Sequence, residues 1–189
     1  NLLAVLAALL ATDISLVDAV AKVADATAAP GRMDRLAMND HSASAATVVI
    51  DYAHTPDALE KALQAARAHT SQKLWCVFGC GGDRDIGKRP EMGAVAERFA
   101  DKVVVTSDNP RTEDPVGISD GICAGMLRDP DYRDLDRAEA IDWAIRHASA
   151  GDLVLIAGKG HEDYQEVHGV RNPFSDHAVA GEVLERLAA

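Results

Sequence analysis

The chain has 189 residues, with 19 Lys and Arg against 30 Asp and Glu and a formal net charge of -11. That length gives room for one full domain with a sizeable core and some chain beyond it. The acidic balance speaks against nucleic acid and membrane surfaces as partners, since both are anionic, and an anionic ligand must be captured by local basic groups.

Residues 1–11 are nearly all apolar, too short a run to span a bilayer, and are expected as a buried helix. A chain that opens inside such a helix reads as part of something longer. A second helix is expected after Asp13, with Val17, Val20, Ala21 and Ala24 on one face. Pro30-Gly31 breaks the chain. A short strand is expected in 33–38 and a polar turn in 39–44. From Thr47 the pattern alternates. Strands are expected at 47–52, 73–78, 102–106, 131–135 and 152–157. Helices are expected at 56–69, 90–100, 115–128 and 137–148. An edge strand at 164–168 and an amphipathic helix at 176–187 close the chain. Runs apolar on both faces, alternating with helices, point to an α/β fold with a mostly parallel sheet flanked by helices.

Cys76, Cys80 and Cys123 are odd in number and contain no C-x-x-C pair. A disulfide framework or zinc site is not expected, and a reducing, cytoplasmic setting is.

The polar, glycine-bearing segments fall just after strands. Asp51 to Pro56 follows the first, Gly79 to Asp85 the second, Asp108 to Arg111 the third, and Gly158 to Asp163 the strand at 152–157. In an open parallel sheet these ends share one edge, where ligands bind. Each segment alone has a plain structural explanation. Gly79-Cys80-Gly81 starts like a dinucleotide fingerprint, but Arg84 occupies the third glycine position. Gly158-Lys159-Gly160 lacks P-loop spacing, and Asp108-Asn109-Pro110-Arg111 has the composition of an ordinary turn. His54 alone is a structural loop histidine more often than a catalyst. Four unrelated turns gathering on the functional edge is the harder coincidence. The charges also match in kind: Arg84 and Arg111 are suited to carboxylates, and Asp108 and Glu162 to ammonium groups. The residues by themselves reach an α/β domain that binds a small zwitterionic or phosphorylated ligand.

The segments 51–59, 78–90, 108–111 and 158–165, in this order and spacing, closely resemble the Mur ligase family, in particular its MurE type. Gly31-Arg32-Met33 resembles the hinge between that family's central and C-terminal domains, with Asp34 where the family usually has Glu. The resemblance implies that residues 1–30 are the last helices of a central ATP-binding domain and 31–189 a Rossmann-like, amino-acid-binding C-terminal domain. It implies an ATP- and Mg2+-dependent amide ligase that adds meso-diaminopimelate to UDP-MurNAc-L-Ala-D-Glu in peptidoglycan synthesis. Arg84, Asn109, Arg111, Gly158 and Glu162, with Asp108 and Pro110 completing the loop, are implied to bind the diamino acid. Arg32, Asp51 and His54 are implied to approach ATP. No catalytic residue or metal ligand is assigned within these 189 residues. They contain no G-x-x-x-x-G-K-[ST] motif, so binding without turnover is expected of this chain alone. A related ligase for another amino acid, of the lysine or folylpolyglutamate type, and a non-catalytic binding module are the competing readings.

Overall fold

The computed structural model describes residues 2–25, 29–36 and 46–188. The elements run α1 (Leu2–Ala11), α2 (Leu16–Ala24), β1 (Asp34–Arg35), β2 (Thr47–Asp51), α3 (Pro56–Arg67), β3 (Leu74–Phe78), α4 (Lys88–Phe99) and β4 (Lys102–Val105). They continue with α5 (Pro115–Cys123), β5 (Tyr132–Arg133), α6 (Arg137–His147), β6 (Leu153–Ala157), β7 (Tyr164–Val167), β8 (Val170–Pro173) and α7 (Asp176–Ala188).

The main sheet has the order β1-β2-β6-β3-β4-β5, parallel except for β1, which is antiparallel to β2. Successive side chains in a strand point to opposite faces, and this sequence is apolar at both. Val49, Leu74, Cys76, Phe78, Val103, Val105, Leu153 and Leu155 meet Leu59 and Leu63 of α3, Met92 of α4 and Ile118 and Ile122 of α5. On the other face Val48, Ile50, Trp75, Val77, Val104, Val154 and Ile156 meet Ile141 and Ile145 of α6 and Val183 and Leu184 of α7. Two buried apolar layers therefore clamp the sheet and hold the C-terminal ends of β2, β3, β4 and β6 side by side.

The expected mostly parallel sheet with flanking helices is present, with several local differences. The 33–38 strand is seen at Asp34–Arg35, and the polar turn at 39–44 lies outside the described residues. α4 starts at Lys88 rather than at the proline. Pro90 still falls in the first turn, where an N–H would have no intrahelical acceptor. α5 stops at Cys123 instead of reaching residue 128, because the N–H groups of Leu127 and Arg128 turn to the Glu97 carboxylate (2.8 and 2.9 Å). The 164–168 strand does not join the main sheet. It pairs with β8, an element the sequence reading lacked, as a separate antiparallel hairpin.

The largest correction concerns the N-terminal helices. α1 buries none of its residues, and α2 buries Ala19 while Val17 and Val20 stay exposed. α1 packs against α2, and two short helices lack the apolar area to cover one another. No helix among the described residues is long and apolar enough to cross a membrane.

Candidate functional site

The loops after β2, β3, β4 and β6 surround a cleft of ≈ 360 Å³ lined by Tyr52, His54, Thr55, Gly81, Arg84, Asp85, Lys88, Asp108, Asn109, Arg111, Gly158 and Glu162. Seven of the ten residues singled out in the sequence line it: His54, Arg84, Asp108, Asn109, Arg111, Gly158 and Glu162. Arg32, Asp51 and Pro110 do not.

Asp51 is buried, and its two carboxylate oxygens accept the N–H groups of Met33 and Ala53 (2.8 Å each). It shapes the chain next to the cleft. Arg32 lies 4.8 Å from the centre of the Tyr52 ring. His54 is exposed, with Nδ1 2.9 Å from the Tyr52 carbonyl. Pro110 is buried and its carbonyl lies against Gly82, where a Cβ would approach it to 1.9 Å. Glycine at position 82 is what lets the loops after β3 and β4 touch, and the Gly82 N–H donates to the Asn109 carbonyl across that contact (2.9 Å).

Arg111 sits in the left-handed region (φ 53°), uncommon for a residue with a Cβ. The β7–β8 hairpin holds it there. The Arg111 N–H donates to the Glu166 carbonyl (3.0 Å), and its own carbonyl accepts from His168 N–H (2.6 Å). Its guanidinium donates to the Gly82 carbonyl (2.7 Å) and lies 3.9 Å from the Glu166 carboxylate. The same hairpin reaches the preceding residues: the Gln165 amide donates to the Asp108 carbonyl (2.8 Å) and the Glu166 N–H to Asn109 Oδ1 (2.9 Å).

Arg84, by contrast, is exposed, and among the described residues its hydrogen bond is to the adjacent Asp83 carbonyl (3.1 Å). Its loop is tied down on either side of it. Glu113 receives both N–H bonds of one Arg89 nitrogen (2.8 Å each) and the Asp83 N–H, and the Asp83 carboxylate accepts from Thr112 Oγ1 (2.8 Å) and Thr112 N–H (3.2 Å). The Thr112 hydroxyl and N–H hold the Asp83 carboxyl below its ordinary range, and the Arg89 guanidinium does the same for Glu113. Lys88 Nζ donates to the His54 carbonyl (2.8 Å), joining this loop to the one after β2. Burial pushes the Cys80 thiol up to about 12, so it is not a nucleophile in the cleft.

Two basic residues behind the cleft escaped the sequence reading. Lys159 is fully buried, with Nζ 3.0 Å from Asn109 Oδ1 and 3.1 Å from Glu162 Oε2. Arg137, also fully buried, makes a paired bond to Asp176 (2.7 and 2.8 Å). It also donates to the carbonyls of Ser107 (3.2 Å) and Ala157 (3.0 Å), the residues just before Asp108 and Gly158. A cation at the first position of a helix reads from sequence as solvated surface. The available signal was Asp176 at the start of another helix, but nothing in the sequence says the two meet.

Chemically, the cleft presents three cationic side chains, Arg84, Lys88 and Arg111, beside three carboxylates, Asp85, Asp108 and Glu162. Such a mixture suits a ligand carrying both carboxylates and amines. Among the described residues no three His, Cys, Asp or Glu side chains converge as a metal site requires.

The chain is 53% identical over 186 residues to a UDP-N-acetylmuramoyl-L-alanyl-D-glutamate–2,6-diaminopimelate ligase of Chromobacterium violaceum, covering 97% of this chain and 37% of that protein. It is 54% identical to the Pseudomonas putida protein of the same name, over 97% of this chain and 36% of the relative. The chain thus spans little more than a third of the length of these relatives. A solved structure of a ligase of that name superposes with a TM-score of 0.77 at 42% identity, over 97% of this chain and 37% of its own. The UDP-N-acetylmuramate-alanine ligase MurC of Thermotoga maritima, at 20% identity and a TM-score of 0.67, covers 99% of this chain and 36% of its own and shares the fold. Residues 31–160 match the family model for the Mur ligase glutamate ligase domain, and the chain belongs to the Mur ligase family.

Proposed function

We propose that this chain is the amino-acid-binding part of an ATP-dependent ligase that joins meso-diaminopimelate to UDP-MurNAc-L-Ala-D-Glu in the cytoplasm, during peptidoglycan synthesis. The observation that carries the reading is the convergence of Arg84, Arg111, Asp108 and Glu162 on one cleft at the C-terminal strand edge. The relatives named for 2,6-diaminopimelate supply the substrate. Residues 1–30 are assigned to the end of a preceding ATP-binding domain, and 31–189 to the domain that holds the amino acid. The exposed apolar side chains of α1 and α2 support that division, since such a surface is normally covered.

In this reading Arg84 and Arg111 hold the two carboxylates, and Asp108 and Glu162 hold the amines. Asn109 and the backbone at Gly158 complete the contacts. Pro110 stiffens the turn that presents Asn109 and Arg111. The amine nitrogen attacks the carbonyl carbon of an acyl phosphate formed on the D-Glu side chain. The carbon–oxygen bond to phosphate breaks, phosphate leaves, and the nitrogen gives up a proton. The contribution of these residues is to aim the amine. ATP is assigned to the side of the cleft bearing Arg32 and His54, with Asp51 fixing the backbone beneath them. Magnesium has no part in the chemistry assigned to these residues.

Calorimetric titration of the chain with meso-diaminopimelate and with L-lysine tests the assignment. Saturable binding of meso-diaminopimelate, with L-lysine at least tenfold weaker, is expected. Equal affinity for the two amino acids, or binding of neither, overturns it.

A further inference from the structure

Beneath the cleft the side chains of Lys159, Asn109 and Glu162 form a closed network whose donor and acceptor roles can be assigned without ambiguity. Asn109 Oδ1 faces Lys159 Nζ (3.0 Å) and the Glu166 N–H (2.9 Å), and both of these groups donate. The atom facing them must therefore be the amide oxygen. The other end of the amide faces Glu162 Oε2 (2.8 Å), a carboxylate that accepts, so that atom is the nitrogen. Both lone pairs of the Asn109 oxygen are then occupied, and one N–H of its amide is left for the cleft it lines. Glu162 Oε2 is likewise taken by two donors, Asn109 Nδ2 and Lys159 Nζ (3.1 Å), which leaves Oε1 for a ligand. The ammonium is fully enclosed, with the Tyr164 ring centre 5.4 Å away.

We propose that Lys159 is a positioning and specificity-determining residue. It locks the Asn109 amide with its nitrogen toward the cleft and offsets the Glu162 charge, so that the cleft prefers a ligand with as many carboxylates as amines over a cationic one. The proposal rests on the amino-acid-binding reading given above. Its electrostatic half follows from the balance of side chains. With Lys159 removed, Glu162 loses the ammonium 3.1 Å from its carboxylate, and the more negative cleft shifts its preference toward L-lysine, which is cationic, and away from meso-diaminopimelate, which is neutral. Its geometric half follows from the amide. With no ammonium on Oδ1, the Asn109 side chain keeps the Glu166 N–H and the Glu162 carboxylate but loses its one charged donor, so the amide is held more loosely, and any conformer with its oxygen toward the cleft repels a carboxylate.

Lys159→Met keeps the stem and removes the charge, and Lys159→Gln keeps a hydrogen-bond donor and removes the charge. Each is titrated with meso-diaminopimelate and with L-lysine against the parent chain, after melting curves establish that it is folded. The expected result for Lys159→Met is at least tenfold weaker binding of meso-diaminopimelate and at least a tenfold fall in its preference over L-lysine. Lys159→Gln is expected to lose the preference with a smaller loss of affinity, and serves alone if the Met variant does not fold. A role confined to packing weakens both ligands equally, and an unchanged preference in either folded variant overturns the proposal. Failure of the parent to bind either amino acid overturns the function proposed above instead. Lys159 is then judged by the Asn109 side-chain amide signals in nitrogen–proton correlation spectra without ligand. Slow hydrogen exchange in the parent that is lost in the variants supports the positioning role, and identical exchange in parent and variants overturns it.

Discussion

Arg111 and Arg84 line the same cleft from neighbouring loops, but they are held differently. The Arg111 backbone is bonded on both sides to the β7–β8 hairpin, and its guanidinium is already aimed by the Gly82 carbonyl and the Glu166 carboxylate. Arg84 leaves an exposed loop and bonds the carbonyl of its neighbour. Arginine loses about 2 kcal/mol of side-chain entropy when fixed. For Arg111 folding has already removed most of that freedom, whereas for Arg84 the cost falls on ligand binding. Pre-organisation should therefore make Arg111 the stronger and more selective contact, although both carry the same charge.

The most damaging way to break this difference is from below. Arg137 ties together the carbonyls that precede Asp108 and Gly158, and so underpins the Arg111 side of the cleft and not the Arg84 loop. Arg137→Ala leaves Asp176 charged, fully buried and unpaired, and should cost about 3–5 kcal/mol of stability. The measurement is a denaturant melt. Replacing both partners by apolar residues, as in Arg137→Met with Asp176→Leu, should recover part of the loss. A single variant as stable as the parent would show that the pair does not support the loops.

Within the cleft, Arg111→Ala should weaken meso-diaminopimelate by about 3 kcal/mol, on the order of a hundredfold, and reduce its preference over L-lysine. Lysine offers no second carboxylate, so with lysine bound an oriented Arg111 is desolvated without return. Arg111→Lys should restore little, because an ammonium cannot make the paired contact. Arg84→Ala should cost less, about 1–2 kcal/mol, since the entropy released offsets part of the lost charge-assisted bond. If calorimetry finds the two alanine variants equally weakened, pre-organisation is not what separates them.

Which parts of this arrangement the sequence reveals follows from the range of the interactions. The sheet and the meeting of four loops were legible because strand spacing and the parallel pattern put every strand C-terminus on one edge. Seven of the ten residues singled out there do line the cleft. Arg137 and Lys159 were not legible, because a buried cation is recognised by its partner, and Asp176 and Asn109 lie 39 and 50 residues away. The strand at 164–168 was legible but its partner β8 was not, because periodicity gives a strand but not its neighbour. α1 misled for a related reason. Apolar composition states a tendency to be covered, and α2 alone does not supply the cover.

The smallest expected effect concerns pH and sharpens the comparison from the Arg84 side. The loop bearing Arg84 is tied to 110–113 by the Asp83–Thr112 and Glu113–Arg89 contacts, and both carboxyls are held below their ordinary range. A carboxyl lowered by folding contributes stability that is fully present above its unfolded value and lost as pH falls through its folded value. The clamp should thus be intact from neutral pH to about pH 5 and loosen below about pH 4. Asp83 is exposed, so the change in global stability should be small. The readout is local: hydrogen-exchange protection, measured relative to the slower intrinsic exchange in acid, should be lost on acidification at residues 81–87 ahead of 108–111, where the bonds to the hairpin run between backbone and amide groups that do not titrate. Glu113→Gln should bring that loss of protection at 81–87 to neutral pH, because a neutral amide cannot match the doubly bonded Arg89 contact. If the two loops loosen together on acidification, or if Glu113→Gln leaves the exchange of 81–87 unchanged, then the Arg84 loop is held by something other than these carboxylates.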